Sequence, residues 1–518
     1  MENIKNVTSF VGSEQEYFLI PEEYYEKRLD LKFTGRTLFG ANPPKGQELD
    51  DHYYGSLKEK VSNYMKDLEN ELWKFGVPAK TKHNEAAPSQ FEIACIYRPV
   101  NTTTDNNHLL MELMQDIAKK HGLTCLLHEK PFAGINGSGK HNNWSLTTDD
   151  GINLLDPGKK PHENTQFMLV LACVLKAVDK HAGLLRASAA DVGNDHRLGA
   201  HEAPPAIISV YLGEQLEDIL DQYIATGTAT HSIKGKGLST GVKTLPDFRK
   251  DAADRNRTSP FAFTGNKFEF RTVGSSMSIA EPNTFLNAMI AETLEGFADE
   301  LEACEDFDKG VHDLIKKTLT EHQRVLFNGN AYSEEWLEEA TRRGLPNITC
   351  FVDAIEVLNT PKAIKLFESQ GIYSAAELHS RVEINYENYA KVVNIEAKTM
   401  IDMASRQYIP SIISYTKILA DSINSVKAAC PMADVSVQTE LLMETSENLL
   451  LAKKAVKELS DELAKVMSIS DAAERAKKMH TLVCPKMDAL RAPIDKLETI
   501  VDSKIWPVPT YGELMFEE

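Results

Sequence analysis

The nine residues GSEQEYFLI (12–20) decide how the first half of the chain is read. Side chains alternate along a strand, so Glu14 and Glu16 leave one face while Gln15 and Tyr17 leave the other. Two carboxylates at neighbouring same-face positions repel unless positive charge lies between them. The pattern recurs downstream. In SQFEIACIY (89–97), Gln90 and Glu92 share a face, and Glu85 lies just before the loop that contains Pro88. In KFEFRTV (267–273), Lys267, Glu269 and Arg271 line one face and Phe268 and Phe270 the other. Phenylalanines turned to a core would send Glu269 and Arg271 into a cleft or into water. Taken singly, each pair reads as a solvated polar face. A divalent cation is the economical counter-charge, and oxygen donors with one imidazole suit Mg²⁺ or Mn²⁺ better than zinc.

Around these strands the chain divides by period. A further strand is expected at NWSLTT (143–148), and helices at Leu57–Phe75, His108–His121, His162–Ala182 and Glu281–Glu305. From about residue 306 the pattern is almost wholly helical. Val435, Leu442, Leu449, Val456 and Leu463 recur every seven residues, joined by Ala452, Leu459 and Val466. Ala472, Ala476, Met479, Val483, Met487, Leu490, Ile494, Leu497 and Val501 make a second stripe. The spacing predicts an antiparallel helical hairpin over about 435–501. Ser470 or Asp471 would cap its second arm, which should bend or break near Pro485 and Pro493. Stripes of this kind are core or subunit contact. They exceed what one hairpin can cover, so a homo-oligomer is expected.

Composition removes several function classes. The chain has 518 residues, enough for roughly three domains, and is 42% hydrophobic and 26% charged, which is ordinary for a globular protein. Its 57 Lys and Arg against 76 Asp and Glu leave a net charge of -19, without a basic patch, which argues against nucleic acid or an anionic membrane as partner. Seven scattered cysteines, with no Cys-x-x-Cys, argue against a disulfide framework or structural zinc and for a reducing compartment. The N-terminus has no signal-peptide architecture, and the longest apolar run, Phe167 to Leu175, is too short to span a bilayer. A cytoplasmic protein is expected.

One motif is a near-miss. Residues 134–140, GINGSGK, fit the first seven positions of a phosphate-binding P-loop, but His141 stands where the magnesium-holding Ser or Thr belongs. The next residues, NNWSLTT (142–148), are β-prone rather than helical, so no helix N-terminus would face a phosphate. The glycines still permit close approach of backbone to a ligand.

Five motifs occur in series: Glu14-x-Glu16, Glu85-(x6)-Glu92, Asn136-Gly-Ser-Gly-x-His141, Arg197-(x4)-Glu202-Ala-Pro and Asn256-Arg257-(x11)-Glu269-x-Arg271. Together they resemble the catalytic domain of the glutamine synthetase family, most closely its type III branch, over roughly residues 12–300. The helical tail is also similar to that branch. The resemblance implies an α+β fold: a catalytic domain over 1–305 with a curved antiparallel sheet backed by helices, then a helical region over 306–518 ending in the hairpin. It implies ligation of ammonium to glutamate with ATP, through γ-glutamyl phosphate, and Mg²⁺ or Mn²⁺ as cofactor. By position, Glu16, Glu85 and Glu92 would hold the metal nearest glutamate and ammonia. Glu14, His141 and Glu269 would hold the metal at the ATP phosphates. Arg257 matches a phosphate-contacting arginine, Arg197 and Arg271 match residues that grip glutamate and the phosphoryl group, and Asn136 and Gly137 would position glutamate. Glu202 matches a flap glutamate that accepts a proton. Ser145 and Lys267 would lie on the nucleotide side. His196 and His201 read as loop histidines, and Trp144 and Phe91 as packing.

The departures from the family pattern are specific. Ser89 stands where glycine is usual, Asn143 where a second histidine is usual, and Ala262 where many members have another arginine; the Arg197–Glu202 interval is one residue short. Only thirteen residues precede Glu14, where the family carries a β-grasp domain that closes a neighbour's site. This predicts an open site unless a separate N-terminal polypeptide completes it. The alternative functions are a truncated, non-catalytic nucleotide- and metal-binding or assembly protein, and a γ-glutamyl ligase for another amine. A phosphoryl-transferring guanidino kinase ranks lower, because that group lacks the paired Glu-x-Glu strand.

Overall fold

The strand carrying Glu14 and Glu16 is the spine of the sheet. The computed structural model describes residues 4–199, 203–233, 237–238, 248–249 and 257–517. Its strands are β1 (Val7–Pro21), β2 (Ala79–Asn84), β3 (Gln90–Cys95), β4 (Arg98–Pro99), β5 (Leu123–Leu126), β6 (Lys140–Thr148), β7 (Val210–Tyr211), β8 (Gly237–Leu238), β9 (Phe248–Arg249), β10 (Phe261–Phe263) and β11 (Phe268–Phe270). The main sheet runs β2-β3-β1-β6-β11-β10-β7, with β4 and β5 also paired to β1; β8 and β9 pair separately. Every pairing in the main sheet is antiparallel except β10 with β7. Phe18 of β1 has Gln90 of β3 on one side and Leu126 of β5 on the other, so β1 changes partners along its length on both edges.

The two faces of this sheet have opposite chemistry. Tyr17, Leu19, Phe91 and Ile93 point back into a core with Val61, Met65 and Leu68 of helix Glu59–Lys74 and Leu110 and Met114 of helix Val100–Lys120. Trp144, Phe268 and Phe270 point the same way, into a core shared with helices Thr165–Ala187 and Ala280–Glu302. Phe261 stacks on Phe268 with centroids 4.7 Å apart. The glutamates therefore project from the front. Helix Val100–Lys120 begins well before the expected His108: its polar first turns NTTTDNN have little intrinsic drive, but Thr103 is buried and donates to the Val11 carbonyl at 2.9 Å.

The tail is helical as expected and is more than a hairpin. Helix Ser436–Met467 packs along helix Cys484–Glu498, and also against helix Ile409–Ala429; helix Ala375–Met403 packs on helix Ala472–Lys478. Asp471 is the cap, accepting from Glu474 N at 2.7 Å. A π-turn at Met479–Val483 interrupts the second arm just before Pro485, whereas Pro493 sits buried inside helix Cys484–Glu498. Ala452, Val456, Leu459, Leu463 and Val466 are buried, while Leu442 and Leu449, nearer the start of the first arm, are only partly covered.

The last helix, Tyr511–Phe516, returns to the sheet. Tyr511, Leu514 and Met515 pack with Phe18, Ile20 and Phe132, and Ser89 donates to the Met515 carbonyl at 2.7 Å. Two buried ion pairs complete the junction: Arg28–Asp30 at 2.6 Å and Arg36–Glu396 at 2.6 Å. Arg28 also donates to the carbonyls of Phe39 and Pro509.

Glu498 lies in this junction, and burial pushes its carboxyl up to about 7, against the opposing pull of Arg28. Its folded value is above the unfolded one of about 4.3, so stability should fall as pH rises between them. Glu498→Gln should raise the melting temperature at pH 8 and leave it unchanged at pH 4, as read by thermal unfolding followed by circular dichroism.

Candidate active site

Register brings the acidic residues into one row. Glu16 lies opposite Glu92 of β3, and Glu14 opposite His141 of β6. Glu92 in turn faces His83 of β2, and Asn143 of β6 faces Glu269 of β11. The result is a cavity of about 310 Å³ lined by Glu14, Glu16, Glu85, Glu92 and Glu269, with His83, His141, Arg257 and Arg271 as its cationic groups. Tyr53 stands at its wall.

The imidazoles are clamped between carboxylates. His141 Nδ1 is 3.3 Å from Glu14 and 3.0 Å from Glu269, and its Nε2 is 3.9 Å from Glu16. Burial disfavours its protonation, but the hydrogen bonds to Glu14 and Glu269 outweigh this and hold its pKa well above the ordinary value. His83 Nε2 is 3.1 Å from Glu92 and its Nδ1 3.6 Å from Glu85. The hydrogen bond to Glu92 raises His83 to about 9. Glu92 is raised by burial and by Glu14 and Glu16, although His83 pulls the other way. Glu269 is buried, yet His141 and Arg271 hold its carboxyl well below the usual range.

Neighbours fix these side chains. Asn143 donates to Glu14 at 2.8 Å, and Arg271 to Glu269 at 3.0 Å. Gly139 N donates to Glu16 at 2.5 Å. On the back face Gln15 donates to the Ser275 hydroxyl and accepts from Asn107, so β1 is held from behind. In the 130–139 loop, Gln47 bonds both the amide and the side chain of Asn136, and Gln90 donates to the Gly137 carbonyl at 2.9 Å. Here the glycines are required by space: a Cβ at Gly139 would lie 2.1 Å from Arg197 Nη2, and one at Gly137 2.2 Å from the Glu129 carbonyl. A strand follows the glycines, as the rejection of a P-loop requires.

The expected residues do not all reach this cavity. Arg197 is buried behind Gly139, and its guanidinium donates to the carbonyls of Arg271, Thr272 and Val273 and to the Asn194 side chain. Asn136 and Gly137 sit in the loop before His141 and do not line the cavity wall. Ser145 lies further along β6 on the same face as His141, and continuing the β6–β11 register by one residue sets Lys267 opposite it; neither lines the cavity. Glu202, like His201 and Asn256, lies outside the described residues. Ser89 has φ of 58°, the left-handed region that favours glycine, which accounts for the family's usual residue there. His83 and Tyr53 were not anticipated. Alternation in TKHNE (81–85) places His83 on the same face as Glu85, and that was the available signal for it.

The donor set fits divalent cations. Ligand atoms of Glu14, Glu92 and His141 lie within 4.8 Å of one another, and so do those of His83, Glu85 and Glu92. Carboxylate oxygens with imidazole nitrogen suit Mg²⁺ or Mn²⁺.

An antiparallel sheet presenting a row of glutamates from its front face, above a helical back, is the frame of an enzyme whose site offers donors suited to divalent cations. Comparison with known proteins agrees. The family model of the glutamine synthetase catalytic domain matches residues 2–204, and that of the glutamine synthetase C-terminal domain residues 310–427. A glutamine synthetase of Butyrivibrio fibrisolvens is 45% identical over 99% of this chain and 73% of its own length. A type-3 glutamine synthetase of Dictyostelium discoideum is 42% identical over 99% of this chain and 71% of its own, and a glutamine synthetase of Bacteroides fragilis 40% over 99% and 72%. A solved structure described as apo GmaS without ligand superposes with a TM-score of 0.45 at 17% identity, covering 74% of this chain and 69% of that one. The chain belongs to the glutamine synthetase family, in its type III branch.

His83→Ala should weaken Mn²⁺ binding by about tenfold, the usual effect of removing a group in or beside a metal's ligand shell, in a titration followed by electron paramagnetic resonance. Gly139→Ala should destabilise the fold by about 1–3 kcal/mol, because the added methyl would displace the buried Arg197 guanidinium from the carbonyls that hold it, as read by urea unfolding.

Proposed function

We propose that this cavity ligates ammonia to L-glutamate with ATP, giving L-glutamine, ADP and phosphate. The observation that carries the reading is the convergence of five carboxylates on two imidazoles and two arginines in one cavity. Glu14, His141 and Glu269 would hold a divalent ion on the phosphate side; Glu16, Glu85 and Glu92, with His83 beside them, would hold one nearer glutamate and ammonia. Bound Mg²⁺ or Mn²⁺ would neutralise the charge on the transferring phosphoryl group.

The chain's own residues set the stage for that chemistry. Asn143 and Arg271 orient Glu14 and Glu269, and so fix the charge that faces the phosphates. Arg257 and Arg271 line the cavity, where a fixed cation stabilises charge developing on a phosphoryl group. Glutamate's carboxylate is a poor electrophile. Phosphorylation by ATP turns one of its oxygens into a leaving group; ammonia then forms the C–N bond, phosphate departs, and Glu202 takes the surplus proton. Asn136 and Gly137 would hold the glutamate end of the substrate, with Arg197 bracing the wall behind them. Ser145 and Lys267, further out on the same face, would meet the nucleotide.

The wider setting is part of the same proposal. Residues 1–305 form the catalytic part and 306–518 the helical part. A homo-oligomer is supported by exposed apolar side chains on the tail helices, among them Ile413, Ile418, Val437, Leu450 and Leu451. No helix among the described residues is long and apolar enough to cross a membrane. The cysteines are free, which supports a cytoplasmic setting.

Purified protein with ATP, glutamate, ammonium and Mg²⁺ or Mn²⁺ should form glutamine, measured by chromatography of the products. Glu16→Ala should reduce the rate by about a hundredfold or more, as loss of a positioned charge does. Absence of metal-dependent glutamine from the unsubstituted chain would overturn the reading.

A further inference from the structure

A second cavity, of about 600 Å³, lies where the sheet region meets the helical tail. Arg36, Lys130 and His196 line it from the sheet side, and Glu396, His480 and Arg491 from the helices. It shares no lining residue with the acidic cavity. Its walls also include Leu38, Val393 and Met400, which would accept a carbon skeleton.

Its donors are under-used. Arg36 gives Nε and Nη2 to the two oxygens of Glu396, at 2.6 and 2.9 Å. Arg491 gives Nε to Asp495 at 2.7 Å and Nη2 to the Gly40 carbonyl and the Tyr511 hydroxyl, both at 3.0 Å. Among the described residues, Nη1 of neither arginine makes a hydrogen bond, although both residues line the cavity. His196 is exposed at the cavity wall, and its ring makes no hydrogen bond to a described residue. Lys130 Nζ spends one bond on the Ile135 carbonyl.

Most acids nearby are already hydrogen-bonded, two of them to the site's own arginines. Both oxygens of Glu396 go to Arg36, and both of Asp195 accept from Phe351 N. Asp495 is taken by Arg491 and Gly40, which leaves Asp488 among the lining carboxylates. His196 is held well below its ordinary pKa, first by Arg36 and then by burial and by the neighbouring His128, Arg491 and Lys130. Neutral imidazole keeps one N–H to donate. Unspent guanidinium donors beside a neutral donor, in a roomy enclosure, make a site for negative charge.

We propose that this junction cavity binds a small organic or inorganic polyanion, through carboxylate or phosphate oxygens, on Arg36, Arg491, Lys130 and His196. The assignment is independent of the ligase reading. A ligand there would sit behind the substrate loop, because Lys130 bonds the residue preceding Asn136 and His196 precedes Arg197.

The test is isothermal titration of the full chain in EDTA with citrate and, separately, orthophosphate, against chloride at equal ionic strength. Saturable heat with at least one of the two is expected, and which one binds distinguishes carboxylate from phosphate. His196→Ala should bind about tenfold more weakly, the loss of one hydrogen bond to a charged group. His196→Glu should supply the anion internally: no saturable heat, and a melting temperature at or above that of the unsubstituted chain. Glu16→Ala should bind as the unsubstituted chain does, since the acidic cavity takes no part. Should His196→Glu fail to fold, His196→Ala decides. No saturable binding of either anion, or equal binding by the His196 variants, overturns the proposal.

Discussion

Everything at the front of the sheet depends on one unfavourable contact made tolerable: carboxylates from β1, β3 and β11, joined by Glu85, brought together in a partly dewatered space. Such a row persists only if positive charge is threaded through it. His141 and His83 lie in register with Glu14 and Glu92, and Arg271 follows Glu269 by two residues on the same face. The imidazoles take up protons because the carboxylates surround them. The same pull would favour a divalent ion, which carries more charge in less volume.

The cost of that arrangement is met from behind and from the far end of the chain. The back of the sheet is aromatic and aliphatic, with Trp144, Phe268 and Phe270 fully inside the core. Gln15, Asn107 and Ser275 hold the middle of β1, where a bulge or slip would send both glutamates to the wrong face. The final helix covers the front of β1 beyond Glu16, through Tyr511, Leu514 and Met515. The tail is thus part of the catalytic frame. Its helices also close one side of the junction cavity, whose opposite wall includes Lys130, Ala133 and Gly134 of the segment leading to Asn136.

Glu14, Glu16, Glu92, Glu269 and Arg271 were legible because a strand's period of two leaves few choices once its apolar face is identified. His83 was harder to read. Its strand, AKTKHN, has no strong apolar alternation, and only the hairpin through Ser89 sets it opposite Glu92. Arg197 illustrates the converse. Its motif marks it for a substrate-facing role, but the space left by Gly137 and Gly139 draws the guanidinium against backbone carbonyls. Helix Val100–Lys120 started earlier than its apolar pattern because burial of Thr103 against β1 supplied what local propensity did not.

The sequence by itself determined the class of fold, the glutamate-bearing strands, the helical tail with its capped second arm, and the choice of oxygen and imidazole donors. The class of fold rests on the ordered motifs and the family they resemble; the rest follows from local periodicity and side-chain chemistry, which a linear chain carries in full. Only the tertiary structure decided which donors share a cavity, that His83 joins them, that Arg197 turns to the backbone, and that the tail returns to cover β1. Those outcomes depend on pairings between strands and on contacts distant in the chain, from His83 with Glu92 and Arg197 with Thr272 to Arg36 with Glu396 and Ser89 with Met515. No local pattern encodes such pairs, because their energies arise only when packing removes water from both partners at once.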